Sequence, residues 1–113
     1  MKLQYTPEAI ADLQSIKDYI RNNLHNPSAA KRIPQMILDQ CSQLKSFPRM
    51  GTDLSAVLGC ETNLRMLVCK NYIVIYRYGQ NVVFIARVFH GRQDFIRILF
   101  GSDILNTANS SDS

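Results

Sequence analysis

Hydrophobic residues are densest in the stretch NYIVIYRYGQNVVFIARVFHGRQD, where most polar residues lie at the turns and at the end. Two runs rich in β-branched and aromatic residues, Tyr72–Tyr78 and Asn81–Phe89, flank Gly79-Gln80. Such runs are typical of β-strands, and a glycine that opens a two-residue loop favours a type II′ turn. A third apolar run, Leu64–Cys69, comes before them and is separated from them by Lys70-Asn71. The pattern therefore predicts a three-stranded antiparallel meander.

Side chains alternate between the two faces of a sheet, so these turns divide the strand residues into two groups. The first group is apolar apart from one arginine, and we expect it to form the core: Leu64, Met66, Val68, Ile73, Ile75, Arg77, Val82, Phe84, Ala86 and Val88. The second group holds two arginines and two tyrosines, and we expect it to form a mixed surface: Arg65, Leu67, Cys69, Tyr72, Val74, Tyr76, Val83, Ile85 and Arg87. A register change of one residue would exchange the two faces.

The first half of the chain carries two helical patterns after a short alternating segment, Lys2–Tyr5, which predicts an edge strand. Thr6 followed by Pro7 is a typical helix start, with an N-cap and a proline at the first helical position. Asn26-Pro27 repeats this signal for a second helix. Apolar residues recur at helical spacing in both segments. They are Ala9, Ile10, Leu13, Ile16, Ile20 and Leu24, then Ala30, Ile33, Ile37, Cys41 and Leu44.

Pro34 lies inside the second helical pattern, where a proline removes one backbone hydrogen bond. The apolar stripe keeps its phase across Pro34, so we expect one helix with a kink near residues 30–34. Residues Phe47–Gly51 end this helix, and residues 51–63 are interpreted as an ordered surface loop. Helices and strands that are segregated in this way indicate an α+β domain, with the helical hairpin packed on one face of the sheet.

After the meander comes Phe95–Phe100, interpreted as a short helical turn or an extended segment. The last residues lose their apolar density. We therefore expect one domain over residues 1–101 and a flexible tail over residues 102–113.

Composition excludes several classes of protein. The apolar fraction is 46%, and no apolar run is long enough to span a membrane. The N-terminus lacks the apolar region of a secretory signal, so a cytoplasmic location is expected. Three widely spaced cysteines, Cys41, Cys60 and Cys69, form neither a disulfide framework nor a pair of metal ligands, and free, mostly packed thiols are expected. The sequence predicts no metal site and no cofactor.

Positive charge is concentrated in the second half of the chain. Residues 1–63 carry seven Lys and Arg against six Asp and Glu, whereas residues 64–101 carry six against one, Asp94. This asymmetry favours a polyanionic partner, either a nucleic acid or an acidic protein segment. Solvated surface arginines are the alternative interpretation.

One candidate site combines the predicted open face of the sheet with the residues after it: Arg65, Tyr72, Tyr76, Arg87, His90 and Arg92. Arginines can bind a phosphodiester, tyrosines can stack on bases, and histidine can transfer a proton near neutral pH. These groups would suit a metal-independent ribonuclease. By residue type alone we favour the alternative, in which the tyrosines are half-buried and the arginines bind an acidic partner.

Four segments in this order resemble the RelE/ParE superfamily of type II toxin–antitoxin toxins, and most closely its ParE branch. They are LQYTPEAIADLQSIKDYI, QCSQLKSFPRMG, LRMLVCKNYIVIYRY and ARVFHGRQD. The resemblance implies the RelE/ParE-like fold and a cognate antitoxin that wraps across the toxin. ParE-like toxins act on DNA gyrase, whereas RelE-like toxins cleave mRNA on the ribosome.

The nuclease groups of the RelE branch are only partly present. Ile73 follows the tyrosine where those nucleases carry an arginine, and Ile98 lies near the position of their catalytic tyrosine. Arg92 matches their basic residue. Because such groups act as a unit, the resemblance implies binding rather than catalysis, with Arg87, His90 and Arg92 as the residues of a nuclease alternative. A degenerate toxin that binds only its antitoxin is a third possibility.

The residues then expected to contact partner proteins in a toxin–antitoxin hetero-oligomer, or on gyrase, are Arg65, Tyr72, Tyr76, Arg77, Arg87, Arg92, Phe95 and Arg97. For the nuclease alternative the partners would be the ribosome and mRNA. No membrane partner is expected.

Overall fold

The computed structural model of the protein describes residues 1–91. One strand, β1 (Lys2–Tyr5), is followed by two long helices, α1 (Pro7–Asn22) and α2 (Pro27–Ser42). A 3-10 turn, Gln43–Lys45, closes the helical part. The remaining elements are β2 (Thr52–Asp53), α3 (Ser55–Leu58), β3 (Arg65–Cys69), β4 (Tyr72–Gly79) and β5 (Val82–His90). This order confirms the predicted α+β class.

Both long helices begin where their caps predict. The Thr6 Oγ1 accepts a hydrogen bond from the Ala9 backbone N–H at 3.1 Å, and the Asn26 Oδ1 accepts one from the Ala29 N–H at 3.1 Å. Each bond satisfies one of the backbone donors that a helix leaves free at its start. The second helix is a single helix that contains Pro34, as its continuous stripe indicates. The kink expected at that residue stays a prediction.

The sheet has five strands in the order β1-β5-β4-β3-β2. Strand β1 pairs in parallel with β5, and the other three pairs are antiparallel. The three-stranded meander is therefore confirmed, and it is extended by one strand on each side. Because β1 joins the sheet beside the last strand, the helical hairpin forms the connection that crosses one face of the sheet.

The hairpin loop lies one residue later than predicted. Gly79 pairs with Val82, so the loop is Gln80-Asn81, and both loop residues have positive φ, 51° and 69°. Two positive φ angles define a type I′ turn, whose twist matches that of the flanking strands. The predicted Gly79-Gln80 loop is wrong because Asn81 itself adopts the left-handed conformation, which asparagine tolerates better than most residues.

The two faces of the sheet are the reverse of the prediction. The second group, expected to be a mixed surface, supplies the residues that pack under the helices: Leu67, Cys69, Tyr72, Val74, Tyr76, Val83 and Ile85. Tyrosine can be buried when its hydroxyl finds a hydrogen-bond partner, and Tyr76 finds two. The polarity of the two groups of strand residues therefore predicted the wrong open face.

A β-bulge explains why the last part of β5 departs from simple alternation. Ile75 pairs with Arg87 and Tyr76 pairs with Ile85, which leaves Ala86 without a partner. The extra residue moves Val88 to the helix side, where it is 2% exposed. Val88 was expected in the core under the helices and lies there, but beside the second group of strand residues and not the first.

The outer face of the sheet is also apolar and has its own small core. Ile73, Ile75 and Phe89 pack against Leu54, which is fully buried. The segment over residues 51–63 was expected to be a loop, but it contains β2 and the one-turn helix α3. This segment covers part of the outer face and leaves Val68 42% exposed.

The three cysteines are free, as predicted, with Cys41 and Cys69 buried and Cys60 exposed. Within residues 1–91, no helix is both long and apolar enough to cross a membrane. The segment Phe95–Phe100 and the tail over residues 102–113 lie outside the described residues, so both stay predictions.

Candidate protein-binding surface

Arg87, a candidate for both partner binding and catalysis, is held in an ion pair at the edge of β5, beyond the end of the β1 pairing. Its Nε and Nη2 donate to the two carboxylate oxygens of Asp12 at 2.8 and 3.0 Å. Both side chains are largely buried, at 28% and 16% exposed. The hydrogen bond to Asp12 raises the pKa of Arg87, so its charge is permanent and already neutralised by its partner.

Tyr72 and His90 face each other across β4 and β5, with ring centroids 5.1 Å apart. Tyr72 is 8% exposed, so only the rim of its ring is available to a partner, whereas His90 is exposed. Beside them lies an open apolar groove of about 480 Å³ along the second half of α1. Its lining residues are Ser15, Ile16, Tyr19, Ile20, Leu24, Tyr72 and His90.

Tyr76 was expected on the open face, but it is fully buried under the helices. Its hydroxyl donates to the Pro48 carbonyl at 2.7 Å and accepts from the Gly51 N–H at 2.9 Å. Burial raises the pKa of Tyr76, so the hydroxyl keeps the proton that it donates. Tyr76 therefore has no surface for a partner, and it instead anchors residues Phe47–Gly51, here called the Phe47 loop.

Arg65 holds the same loop from the neighbouring strand β3. Its guanidinium donates to the Gly51 carbonyl at 2.7 and 3.2 Å and to the Arg49 carbonyl at 3.1 Å. It also lies 3.8 Å from the Asp53 carboxylate. With its donors directed at the backbone, Arg65 shapes the Phe47 loop, and a contact with a partner stays a prediction.

Arg77 projects from the outer face near the end of β4, with its guanidinium carbon 4.4 Å from the centroid of the Phe84 ring. Arg49 lies near the same end of the strand and donates from its Nε to the Tyr78 hydroxyl at 3.1 Å. Both arginines are exposed and stacked or bonded on an aromatic residue. This arrangement keeps each cation in place at the surface, where it can pair with a partner's acidic group.

Two residues of the nuclease alternative contact other side chains of the described residues. Arg87 is paired with Asp12, and His90 packs against Tyr72. Within the described part of the chain no cluster of His, Cys, Asp or Glu could hold a metal ion. Arg92, Phe95 and Arg97 lie outside residues 1–91, so their predicted roles stay predictions.

Comparison with known proteins identifies the family of this chain. Residues 3–95 match the profile of a family described as the ParE toxin of the type II toxin–antitoxin system parDE. The chain belongs to the ParE toxin family. The resemblance seen in the four sequence segments is thereby confirmed.

Two known proteins are similar to this ParE-family toxin. Toxin RelE2 of Caulobacter vibrioides is 29% identical over 86 residues, which cover 76% of this chain and 90% of that toxin. A solved structure described as the chromosomal ParDE TA system from P. aeruginosa has a TM-score of 0.69 and 23% identity. The match covers 81% of this chain and 97% of the solved one, and it confirms the fold.

Sequence reasoning missed the Phe47 loop and the groove along α1 as features of this toxin's surface. Phe47 is 65% exposed, although its motif was interpreted as a helix stop and as part of a family segment, and not as a surface for a partner. A signal was present, since a phenylalanine between turn-forming residues has no helical or strand neighbours to pack against. The groove carried no such signal, because Ile16 and Ile20 belong to an ordinary apolar stripe.

Proposed function

We propose that this ParE-family toxin inhibits growth by binding DNA gyrase and that a cognate antitoxin protein neutralises it. The observation that carries the proposal is the Asp12–Arg87 ion pair. A ribonuclease built on this sheet needs a free arginine to stabilise the charge of the scissile phosphate. Arg87 directs its guanidinium at a carboxylate of its own chain, so the sheet favours binding over cleavage.

The charges of the surface support a protein partner. Arg49 and Arg77 are exposed, and each is positioned by an aromatic ring of the β4–β5 hairpin. Arginines and aromatic residues together are typical of the centres of protein interfaces. The proposed target acts on chromosomal DNA, so we expect the toxin to work in the cytoplasm.

The groove along α1 is suited to the antitoxin. It is open and apolar, and it is bordered by Tyr19 and Leu24, which are 52% and 58% exposed. An extended or helical segment that places apolar side chains in such a groove gains free energy by burying surface on both partners. In the proposed hetero-oligomer, the antitoxin covers these residues.

The deciding experiment adds the purified toxin to gyrase and supercoiled plasmid DNA and then measures cleaved-DNA complexes. We expect these complexes to accumulate with toxin and to disappear when the antitoxin is added first. Total RNA and ribosome-bound mRNA should stay intact in parallel reactions. Cleavage of mRNA on ribosomes without any effect on gyrase would refute the proposal.

The alternative function, a RelE-like ribosome-dependent mRNA interferase, is favoured by one observation, the relative named RelE2. In that case Arg87, His90 and Arg92 would act on RNA. The Arg92→Ala variant should then lose mRNA cleavage and retain antitoxin binding.

If expression of the wild-type toxin does not slow growth at all, the protein is instead a degenerate toxin that binds only its antitoxin.

A further inference from the structure

The Phe47 loop exposes two large apolar side chains within five residues. Phe47 is 65% exposed and Met50 is 41% exposed. Single exposed apolar residues are common on protein surfaces. A phenylalanine and a methionine on one short loop form a cluster of the two residue types that are enriched in the centres of protein interfaces.

The backbone that carries these side chains is fixed before any partner arrives. Tyr76 bonds the Pro48 carbonyl and the Gly51 N–H, and Arg65 bonds the carbonyls on both sides of Met50. The Phe47 N–H donates to the Gln43 carbonyl at 2.9 Å. A loop held in this way loses little conformational entropy when it binds, so more of the contact energy becomes affinity.

The charge around the loop is positive. Lys45 and Arg49 are exposed, and the chain carries no acidic residue between positions 40 and 52. The acidic residue that follows, Asp53, accepts a hydrogen bond from the Ser55 N–H and lies near Arg65. A partner that binds here therefore needs an acidic rim.

The loop is itself concave, because its residues line an open apolar depression of about 580 Å³. Its position separates it from the surface proposed for the antitoxin. A flexible antitoxin segment is better matched to the groove along α1, which borders Tyr72 at the other end of β4. Tyr72 and Tyr76 are four residues apart on one strand, or roughly 13 Å, so the two surfaces are separate.

We infer that the Phe47 loop is the part of the toxin that contacts its target, with an apolar side chain of the target against Phe47 and Met50 and acidic groups of the target near Arg49 and Lys45. This inference rests on the proposed function, in which the target is gyrase. The loop then contacts the target, and the groove along α1 contacts the antitoxin.

The test compares full-length wild-type toxin with the Phe47→Ser variant in the gyrase cleavage assay. We expect the variant to need at least about tenfold more protein for half-maximal cleavage complexes, as for the loss of an interface hot spot. Phe47→Tyr keeps the ring and should retain activity within about threefold. The matched control is Ile10→Ser, because Ile10 is a similarly exposed apolar residue, 57% exposed, on a different element, α1. It should behave as wild type.

Two further measurements separate this role from others. The thermal midpoint of Phe47→Ser should equal that of the wild type, and its affinity for the antitoxin should be unchanged. A lower midpoint would show that Phe47 packs within its own chain, and weaker antitoxin binding would assign the loop to the antitoxin; either result overturns the inference. Equal loss of activity in Ile10→Ser also overturns it.

The inference and the proposed function fail in different ways. If wild-type toxin does not trap gyrase, the proposed function is wrong and the assigned role of the loop falls with it. If wild-type toxin traps gyrase and Phe47→Ser does so at the same concentration, only the inference is wrong.

Discussion

Asp12 on α1 and Arg87 on β5 join the helical hairpin to the sheet through two parallel hydrogen bonds of 2.8 and 3.0 Å. The same carboxylate accepts a third hydrogen bond, from the Val88 N–H at 2.9 Å. Strand β1 ends its pairing with β5 at Ile85, so Asp12 takes the place of a neighbouring strand beyond that point. The bulge around Ala86 turns the chain so that both donors reach one acceptor.

Replacing Asp12 by alanine should therefore lower the free energy of unfolding by about 2–4 kcal/mol, because it leaves a half-buried arginine and a backbone N–H without their acceptor. Urea denaturation of Asp12→Ala against wild type measures this change. The control is Asp18→Ala on the same helix, since the Asp18–Arg21 pair is exposed and should contribute less than about 0.5 kcal/mol. Equal effects of the two substitutions would contradict the role given to Asp12.

Tyr76→Phe removes only the hydroxyl that bonds Pro48 and Gly51. We expect it to lower the free energy of unfolding by about 1–3 kcal/mol, since both backbone groups lose a buried partner. Tyr78→Phe is the control, because within residues 1–91 the Tyr78 hydroxyl bonds the exposed Arg49, and its loss should cost less than about 0.5 kcal/mol. Denaturation curves that coincide for Tyr76→Phe and wild type would show that the loop does not depend on this hydroxyl.

Gly51→Ala should destabilise the protein by about 1–3 kcal/mol through overpacking. A Cβ at Gly51 would lie 2.6 Å from the Tyr76 hydroxyl and 2.8 Å from the Met66 carbonyl oxygen, and a strand carbonyl cannot move aside easily. Gly79→Ala is a suitable control, because nothing lies within 4 Å of the corresponding position. In thermal denaturation, Gly51→Ala should have a lower midpoint than wild type and Gly79→Ala an unchanged one. A midpoint for Gly51→Ala at the wild-type value would refute the predicted clash.

Burial raises the pKa of the Cys41 thiol to about 12 and that of Cys69 to about 11. At pH 8 an alkylating reagent should therefore modify exposed Cys60 and leave the other two thiols intact until the protein unfolds. Mass spectrometry after timed alkylation counts the modified residues. Rapid labelling of Cys41 in the folded protein would contradict this packing.

The same pKa values predict a loss of stability in alkaline solution. Raised pKa values mean that the folded state disfavours the thiolates, so the stabilisation is complete below the unfolded pKa of about 9. It should decrease as pH rises from about 9 towards 12, because the unfolded chain ionises first. Urea midpoints at pH 7, 9 and 10.5 measure the trend, and a midpoint that rises over this range would refute it.

Arg77→Ala tests whether the outer-face cation contributes to target binding. Since Arg77 is exposed and stacks on the Phe84 ring, the loss of folding stability should be less than about 1 kcal/mol. Gyrase trapping should fall several-fold at low salt and approach wild type at high salt, as expected for a screened charge at an interface. Lys70→Ala, an exposed cation at the opposite end of β4, should have little effect. An equal loss of gyrase trapping in both variants would show that net charge, and not the position of Arg77, causes the effect.

The elements that depend on local chemistry were predicted from the sequence. Thr6 and Asn26 cap the helices because their side chains reach a backbone N–H three residues away, which requires no tertiary contact. The strand runs of β3, β4 and β5 follow from the density of β-branched and aromatic residues. The order of helices and strands then determined the α+β class, and the four family segments lie within this order.

The arrangement of the site depended on contacts between distant residues. Both faces of the sheet are apolar, so polarity could not show which one the helices cover, and the hydrogen bonds of Tyr76 to the Phe47 loop decide it. Likewise, nothing near Arg87 in the sequence indicates that Asp12, 75 residues earlier, neutralises it. Local propensities depend on a few neighbouring residues, so the sequence shows them directly. The partner of a buried hydroxyl or charge depends on how distant elements pack, so only the tertiary structure determines it.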